Sequence, residues 1–188
     1  STMNAGKSTI LLQAAHNYEE SGMTPFLITA KLDDRDGLGK IVSRIGISQT
    51  ADVFLKEEDL FLKISKKNSE KSIDCIFIDE AQFLSEAQVW QMTEVVDKLK
   101  IPVMCYGLRV DFQGKLFPGS LALLALADEM KEIKTICHCG KKATMVVRQN
   151  EIGEAILDGQ QVQIGGNETY TSLCRIHWKI AFQAKKHG

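Results

Sequence analysis

Apolar residues repeat along this chain with two different periods. After the opening STMNAGKST, residues Ile10, Leu11, Ala14, Ala15 and Tyr18 fall at helical spacing, and Gly22 marks a stop. TPFLITA reads as a short buried strand, DDRDGLGKIVSRIG as a polar, glycine-bearing connection, and EEDLFLKISKK as a helix with Leu60, Phe61 and Ile64 on one face. IDCIFID is a strand ending in acid. Ser85, with Gln88 three residues on, predicts a helix opened by a capping box, with Val89, Met92, Val96 and Leu99 as its buried stripe. IPVMCYG is a further strand, LRVDFQGKLFPGS a long loop, and LALLALADEM a helix that is apolar almost all round and is therefore expected to be buried.

Strands alternating with helices imply a parallel sheet covered by helices, whose ligands bind beyond the carboxyl ends of the strands. The alternation ends near residue 131. IKTIC, ATMVVRQ and VQIGG are short β-type runs, and a helical segment returns only near RIHWKIAFQA. The pattern predicts two domains: an α/β domain over 1–130 and a small β-rich domain with a helical tail over 131–188.

Composition narrows the possibilities. The 188 residues are 44% hydrophobic, enough for a real core, and carry a formal charge of −1, which lends no support to nucleic-acid binding. No apolar run is as long as a membrane span and no signal peptide is visible, so no membrane partner is expected. Five cysteines, an odd number at uneven spacing, point to a reducing, cytoplasmic compartment.

The opening residues carry the first chemistry. Ser1 to Ser8 fit the phosphate-binding loop G-x-x-x-x-G-K-S/T, with Ser1 in place of the first glycine. Such a loop follows a buried strand, so the expectation is that a preceding strand has been left out; a chance Gly-Lys-Ser in a loop is the alternative. Lys7 can reach the β- and γ-phosphates and the Ser8 hydroxyl can ligate Mg²⁺. CIFIDEAQF supplies the second part. Asp79 at a strand end can hold the metal, and the adjacent Glu80 can accept a proton from an attacking hydroxyl. Alone, Asp-Glu would read as a solvated acidic turn; the upstream Gly-Lys-Ser loop tips the balance. Asp33 and Arg35 follow the second strand, where a guanidinium could neutralise a transferring phosphoryl group; a surface ion pair explains them equally well.

CHCG and CRIH place Cys137, Cys139, Cys174 and His177 as a ligand set of the zinc type, although the first pair is C-x-C and the gap between pairs is long. Two buried cysteines and a surface histidine are the alternative. Four protein ligands make a closed, structural site. It would tie the ends of EIGEAILDGQQVQIGGNETYTS, a polar segment with Tyr170 as its one aromatic residue, which could then close over a substrate. Cys75 and Cys105 sit within apolar strands and are assigned to the core.

In order along the chain, MNAGKST, DEAQF, YGLRVDF, CHCG, IGGNETY and CRIH resemble the type II thymidine kinases, especially the bacterial members, over nearly the whole sequence. The resemblance implies a RecA-like P-loop core with a zinc-tied lasso domain, a homotetramer, and inhibition by thymidine triphosphate. It implies that Ser1, Thr2, Met3, Asn4, Ala5, Gly6, Lys7 and Ser8, with Asp79, Glu80, Ala81 and Gln82, bind ATP, and that Glu80 is the base for the 5′-hydroxyl of thymidine. Asp33 and Arg35 would lie beside the transferred phosphate. Met3, Phe83, Leu108, Phe112, Phe117 and Tyr170 would surround the thymine ring, and the lasso near Ile164 would hydrogen-bond the base. Two other readings stand beside this one: a nucleic-acid-dependent ATPase with a zinc module, for which DEAQ would suit, and a non-enzymatic nucleotide sensor, against which an intact Glu80 and phosphate loop argue.

Overall fold

The structure, a computed structural model, describes residues 1–31, 39–161 and 169–184. They group into two compact units. One contains Gly6–Gly107 and Pro118–Met130; the other contains Ser1–Ala5, Leu108–Phe117 and Lys131–Gly188. This division differs from a single cut near residue 131, because long-range hydrogen bonds bind two early segments to the later chain. Trp178 Nε1 donates to the carbonyls of Phe112 at 3.1 Å and Val146 at 3.0 Å, and Ser172 Oγ donates to the Met3 carbonyl at 2.6 Å.

The first unit is α/β. Helix α1 (Lys7–Glu20) leads to strand β1 (Pro25–Ala30), a hairpin of β2 (Lys40–Val42) and β3 (Ser48–Thr50), then β4 (Asp52–Phe54), α2 (Leu60–Glu70), β5 (Cys75–Asp79), α3 (Glu86–Glu94), β6 (Val103–Cys105) and α4 (Pro118–Leu126). The sheet order is β4-β1-β5-β6 and every pairing is parallel. Strand β5 lies between β1 and β6, and all five of its residues are buried, as a continuous apolar run in a covered parallel sheet should be. Ile28, Ile76, Ile78, Leu60, Ile64 and Val89 anchor one core cluster; Leu11, Leu12, Ala15, Leu27 and Phe77 anchor a second.

Three local expectations need correction. The connection after β1 holds the β2–β3 hairpin and leads into β4; three-residue strands show no readable period, and β4 becomes a strand by pairing with β1. Helix α3 has the expected capping box, with Gln88 N donating to Ser85 Oγ and Ser85 N to Gln88 Oε1. Its stripe, however, continues through fully buried Val95, while Val96 and Leu99 are only partly covered. The final turn, Val95–Leu99, is π-helical and departs from the 3.6-residue repeat. Helix α4 is not buried all round: Leu121 is 59% exposed and Leu124 44% exposed. One face, with Ala122, Leu123 and Leu126, packs on the main core, and the first turn makes the closest approach. A Cβ on Gly119 would stand 2.6–2.8 Å from the carbonyl oxygens of Leu84, Ala81 and Gln82, so only glycine lets the helix start lie against that turn.

The second unit contains β7 (Thr135–Ile136) paired antiparallel with β8 (Lys142–Ala143), and β9 (Met145–Gln149) paired antiparallel with β10 (Thr169–Leu173); α5 (Arg175–Ala184) follows. Its core is small: Cys137, Ala143, Val147, Ala155, Leu173 and Cys174, with Trp178 and Phe182 packed beside them.

Candidate active site and metal centre

In the α/β unit the chain turns through Gly6, at φ 83°, directly into α1, so Lys7 and Ser8 occupy the helix's first turn, at the positive end of its dipole. Across the sheet end, the buried run of β5 delivers Asp79, only 4% exposed. Ser8 Oγ donates to Asp79 Oδ2 at 2.8 Å, and the Glu80 backbone N–H donates to Asp79 Oδ1 at 3.0 Å. Both carboxylate oxygens are therefore held. Glu80 itself has φ 53° and ψ 35°, a left-handed conformation that costs a non-glycine residue about 1–3 kcal/mol. This conformation is braced where Ala81 N donates to the Tyr106 carbonyl at 2.9 Å and Phe83 N to the Glu80 carbonyl at 3.0 Å.

The charges here are mutually adjusted. Burial pushes the Asp79 carboxyl up, against the hydrogen bonds from Ser8 and the Glu80 N–H and the attraction of Lys7. Burial, with the neighbouring Asp79 charge, pushes Glu80 up as well, while Lys7 and Gln82 oppose the shift. Burial lowers the Lys7 ammonium, opposed by Glu80 and Asp79 and aided by Arg44. A hydroxyl paired with a carboxylate can hold a divalent cation that arrives with a polyphosphate, and a lysine at a helix start can hold its oxygens. A second carboxylate beside them can serve as a proton acceptor.

The remaining residues fall as follows. In the α/β unit, Ala81 and Gln82 are buried, and Phe83 packs against the main core. In the second unit, Ser1 accepts from Arg109 N at 3.1 Å, Thr2 is buried, Met3 accepts from Ser172, and Asn4 Nδ2 reaches the Tyr170 carbonyl at 3.5 Å. Ala5 is partly buried, as is Leu108, and Phe112 and Phe117 are buried. Asp33, Arg35 and Ile164 lie outside the described residues. Two participants were not foreseen. Arg148, 2% exposed, sets its guanidinium 5.1 Å from the Phe112 ring centroid and donates to the Gln160 carbonyl. Trp178 clasps the Phe112 carbonyl. An arginine inside the apolar run MVVRQ is the available signal for the first; the second depends on a partner that local sequence does not reveal. Gln82, expected beside the nucleotide, has its side chain against Glu80.

Also in the second unit, Cys137, Cys139, Cys174 and His177 present ligand atoms all within 4.8 Å of one another. Cys139 Sγ and Cys174 Sγ are 3.9 Å apart; His177 Nδ1 is 3.5 Å from Cys137 Sγ and 3.3 Å from Cys174 Sγ. Tetrahedral zinc with Zn–S near 2.3 Å and Zn–N near 2.05 Å requires S···S of about 3.8 Å and S···N of about 3.6 Å. The cluster fits a zinc ion bound through Nδ1. Although burial raises the Cys137 thiol, the backbone amides of Cys139 and Cys174, a contact with Cys139 and His177 together bring it down to about 6, favouring the thiolate that zinc needs.

A family model described as thymidine kinase matches residues 1–178. The chain belongs to the thymidine kinase family. Among relatives in this family, the thymidine kinase of Ruegeria pomeroyi is 63% identical over 181 residues, covering 96% of this chain and 91% of its own. That of Pasteurella multocida is 59% identical over 179 residues, covering 95% and 93%, and that of Jannaschia sp. is 58% identical over 181 residues, covering 96% and 93%. Thymidine kinase family membership spans both units, the carboxylate pair and the cysteine cluster. Among the described residues, no helix is long and apolar enough to cross a membrane.

Proposed function

We propose that this chain transfers the γ-phosphoryl group of Mg-ATP to the 5′-hydroxyl of thymidine, giving dTMP and ADP for nucleotide salvage in the cytoplasm. The observation that carries the reading is the Ser8–Asp79 hydrogen bond at the end of β5, with Glu80 in the left-handed turn that follows it, in a chain of this family. Phosphoryl transfer demands positioning and charge neutralisation more than covalent chemistry. Ser1 to Ser8 cradle the phosphates of Mg-ATP, with Lys7 on the β- and γ-oxygens. Ser8 and Asp79 orient its Mg²⁺, and Ala81 and Gln82 border the nucleotide. Glu80 takes the proton as the 5′-oxygen attacks the γ-phosphorus and ADP leaves; Asp33 and Arg35 act on the transferred group. A zinc ion on Cys137, Cys139, Cys174 and His177 serves as a structural tie for the 131–188 domain, the lasso of a P-loop core over 1–130. Met3, Phe83, Leu108, Phe112, Phe117 and Tyr170 enclose the thymine ring, and main chain near Ile164 reads its edge. The enzyme works as a homotetramer and is inhibited by thymidine triphosphate.

Thymine offers a carbonyl–imide–carbonyl edge and a methyl group. An apolar pocket discriminates a methyl by only about 1–3 kcal/mol, whereas a mismatched hydrogen-bonding edge leaves buried groups unpaired and is rejected far more strongly. Measured as kcat/KM at saturating Mg-ATP, deoxyuridine is expected to be a usable but poorer substrate than thymidine, deoxycytidine very poor and deoxyguanosine inactive. Deoxycytidine equal to thymidine would overturn the edge-reading; ADP release that follows added DNA instead of thymidine would overturn the kinase reading itself.

A further inference from the structure

Gln82 is 1% exposed, in the turn Ala81–Phe83 that follows Glu80. Its Nε2 donates to Glu80 Oε2 at 2.5 Å. Burying a primary amide is costly unless its polar atoms find partners, and here one partner is the carboxylate two residues back. The turn is held from the other side by the Ala81–Tyr106 hydrogen bond, and the next residue, Gly107, packs directly on Gln82. A Cβ at Gly107 would stand 2.9 Å from Gln82 Oε1 and 3.0 Å from the Gln82 backbone nitrogen. Any side chain there would displace the amide.

We propose that Gln82 is a positioning residue, whose side-chain amide fixes the Glu80 carboxylate for proton transfer, and that position 107 is glycine to leave the amide in that place. The inference rests on Glu80 being the base. The family resemblance sets Gln82 beside the nucleotide; the geometry assigns its side chain to the carboxylate. Glutamate has three side-chain torsions, and a carboxylate free to sample them spends little time aligned with a substrate hydroxyl. Anchoring Oε2 to a buried amide removes that freedom and presents Oε1 to the proton. Misplacement of a catalytic group by about 1 Å can cost 10²-fold in rate. An interaction that acts on the base alone should appear in kcat and leave substrate binding in place.

The test is steady-state kinetics of Gln82→Met, which keeps length and removes the donor, and of Gly107→Ala, which leaves the amide and moves it. In both, kcat with thymidine should fall roughly 10- to 100-fold, with KM for ATP within about twofold of wild type. In a Glu80→Gln background, Gln82→Met should cost no further activity, because there is no base left to position. A tenfold rise in KM for ATP at unchanged kcat would assign the Gln82 side chain to nucleotide binding alone and overturn the proposal. An equal loss in the Glu80→Gln background would reduce its role to structure and overturn it too. A wild-type chain inert toward thymidine would instead refute the kinase reading, and this inference with it.

Discussion

The two units keep their chemical groups in place by different means. In the α/β unit, Asp79 is the last residue of a strand whose other members, Cys75 to Ile78, are fully buried between two neighbouring strands. Hydrophobic burial on both faces supplies the rigidity, and the carboxylates are carried at the end of it. In the cysteine-bearing unit the buried apolar cluster is small, and two of its members, Cys137 and Cys174, belong to the group that could hold a metal ion. So small a core cannot offset the entropy of ordering several short strands, and a metal ion is the usual remedy. The expectation is that the α/β unit holds its order through its core alone, whereas the cysteine-bearing unit gains much of its order when a metal ion is bound.

Metal removal should break that comparison most visibly. Structural zinc in small domains contributes about 10–16 kcal/mol of apparent folding free energy. Stripping zinc with a strong chelator is expected to abolish hydrogen-exchange protection in β9 and β10 while β5 keeps its protection. Cys174→Ser should lower zinc content from one per chain; β9 and β10 protected equally with and without metal would end the distinction between the units. Next in size is Glu80→Gln, which should lower kcat by roughly 10²–10⁴-fold with ATP binding nearly intact. Wild-type turnover by that variant would remove Glu80 as the base.

The same substitution sharpens the comparison through stability. Burial and the Asp79 charge raise the Glu80 carboxyl, so the folded chain keeps this proton to higher pH than the unfolded chain does. The ionised form therefore costs stability above the folded pKa, and the cost vanishes below the unfolded value of about 4.3. Without nucleotide or Mg²⁺, Glu80→Gln should melt above wild type at pH 8, with the gain shrinking towards pH 4. A lower melting temperature at pH 8 would show that Lys7 and Gln82 outweigh burial. The smallest expected effect is Ser85→Ala, which removes one arm of the α3 capping box and should cost about 1 kcal/mol in denaturant unfolding. Loss of β9 protection in that variant would mean that the units do not lose order independently.

Sequence alone determined whatever depends on near neighbours. The period of Ile10, Leu11, Ala14, Ala15 and Tyr18 marks α1, Ser85 and Gln88 mark a helix start, and CIFIDE is an apolar run ending in two acids, because each signal spans only a few residues; which of the α1 residues are buried, Leu12 and not Ile10, is not among them. The cysteine and histidine spacing likewise named a ligand set whose atoms do converge. Tertiary structure decided the rest. Asp52–Phe54 is a strand through its pairing with β1, and Thr169–Leu173 through its pairing with β9. The exposure of Leu121 and Leu124 follows from which face of α4 packs on the core, that of Ala122, Leu123 and Leu126, which hydropathy does not encode. Phe112 is held by Trp178, far along the chain, and Gln82 faces Glu80 in the space that Gly107 leaves. Hydrogen bonds and steric contacts act over a few ångströms in space whatever the separation in sequence, so partners of this kind become defined only when the chain has folded.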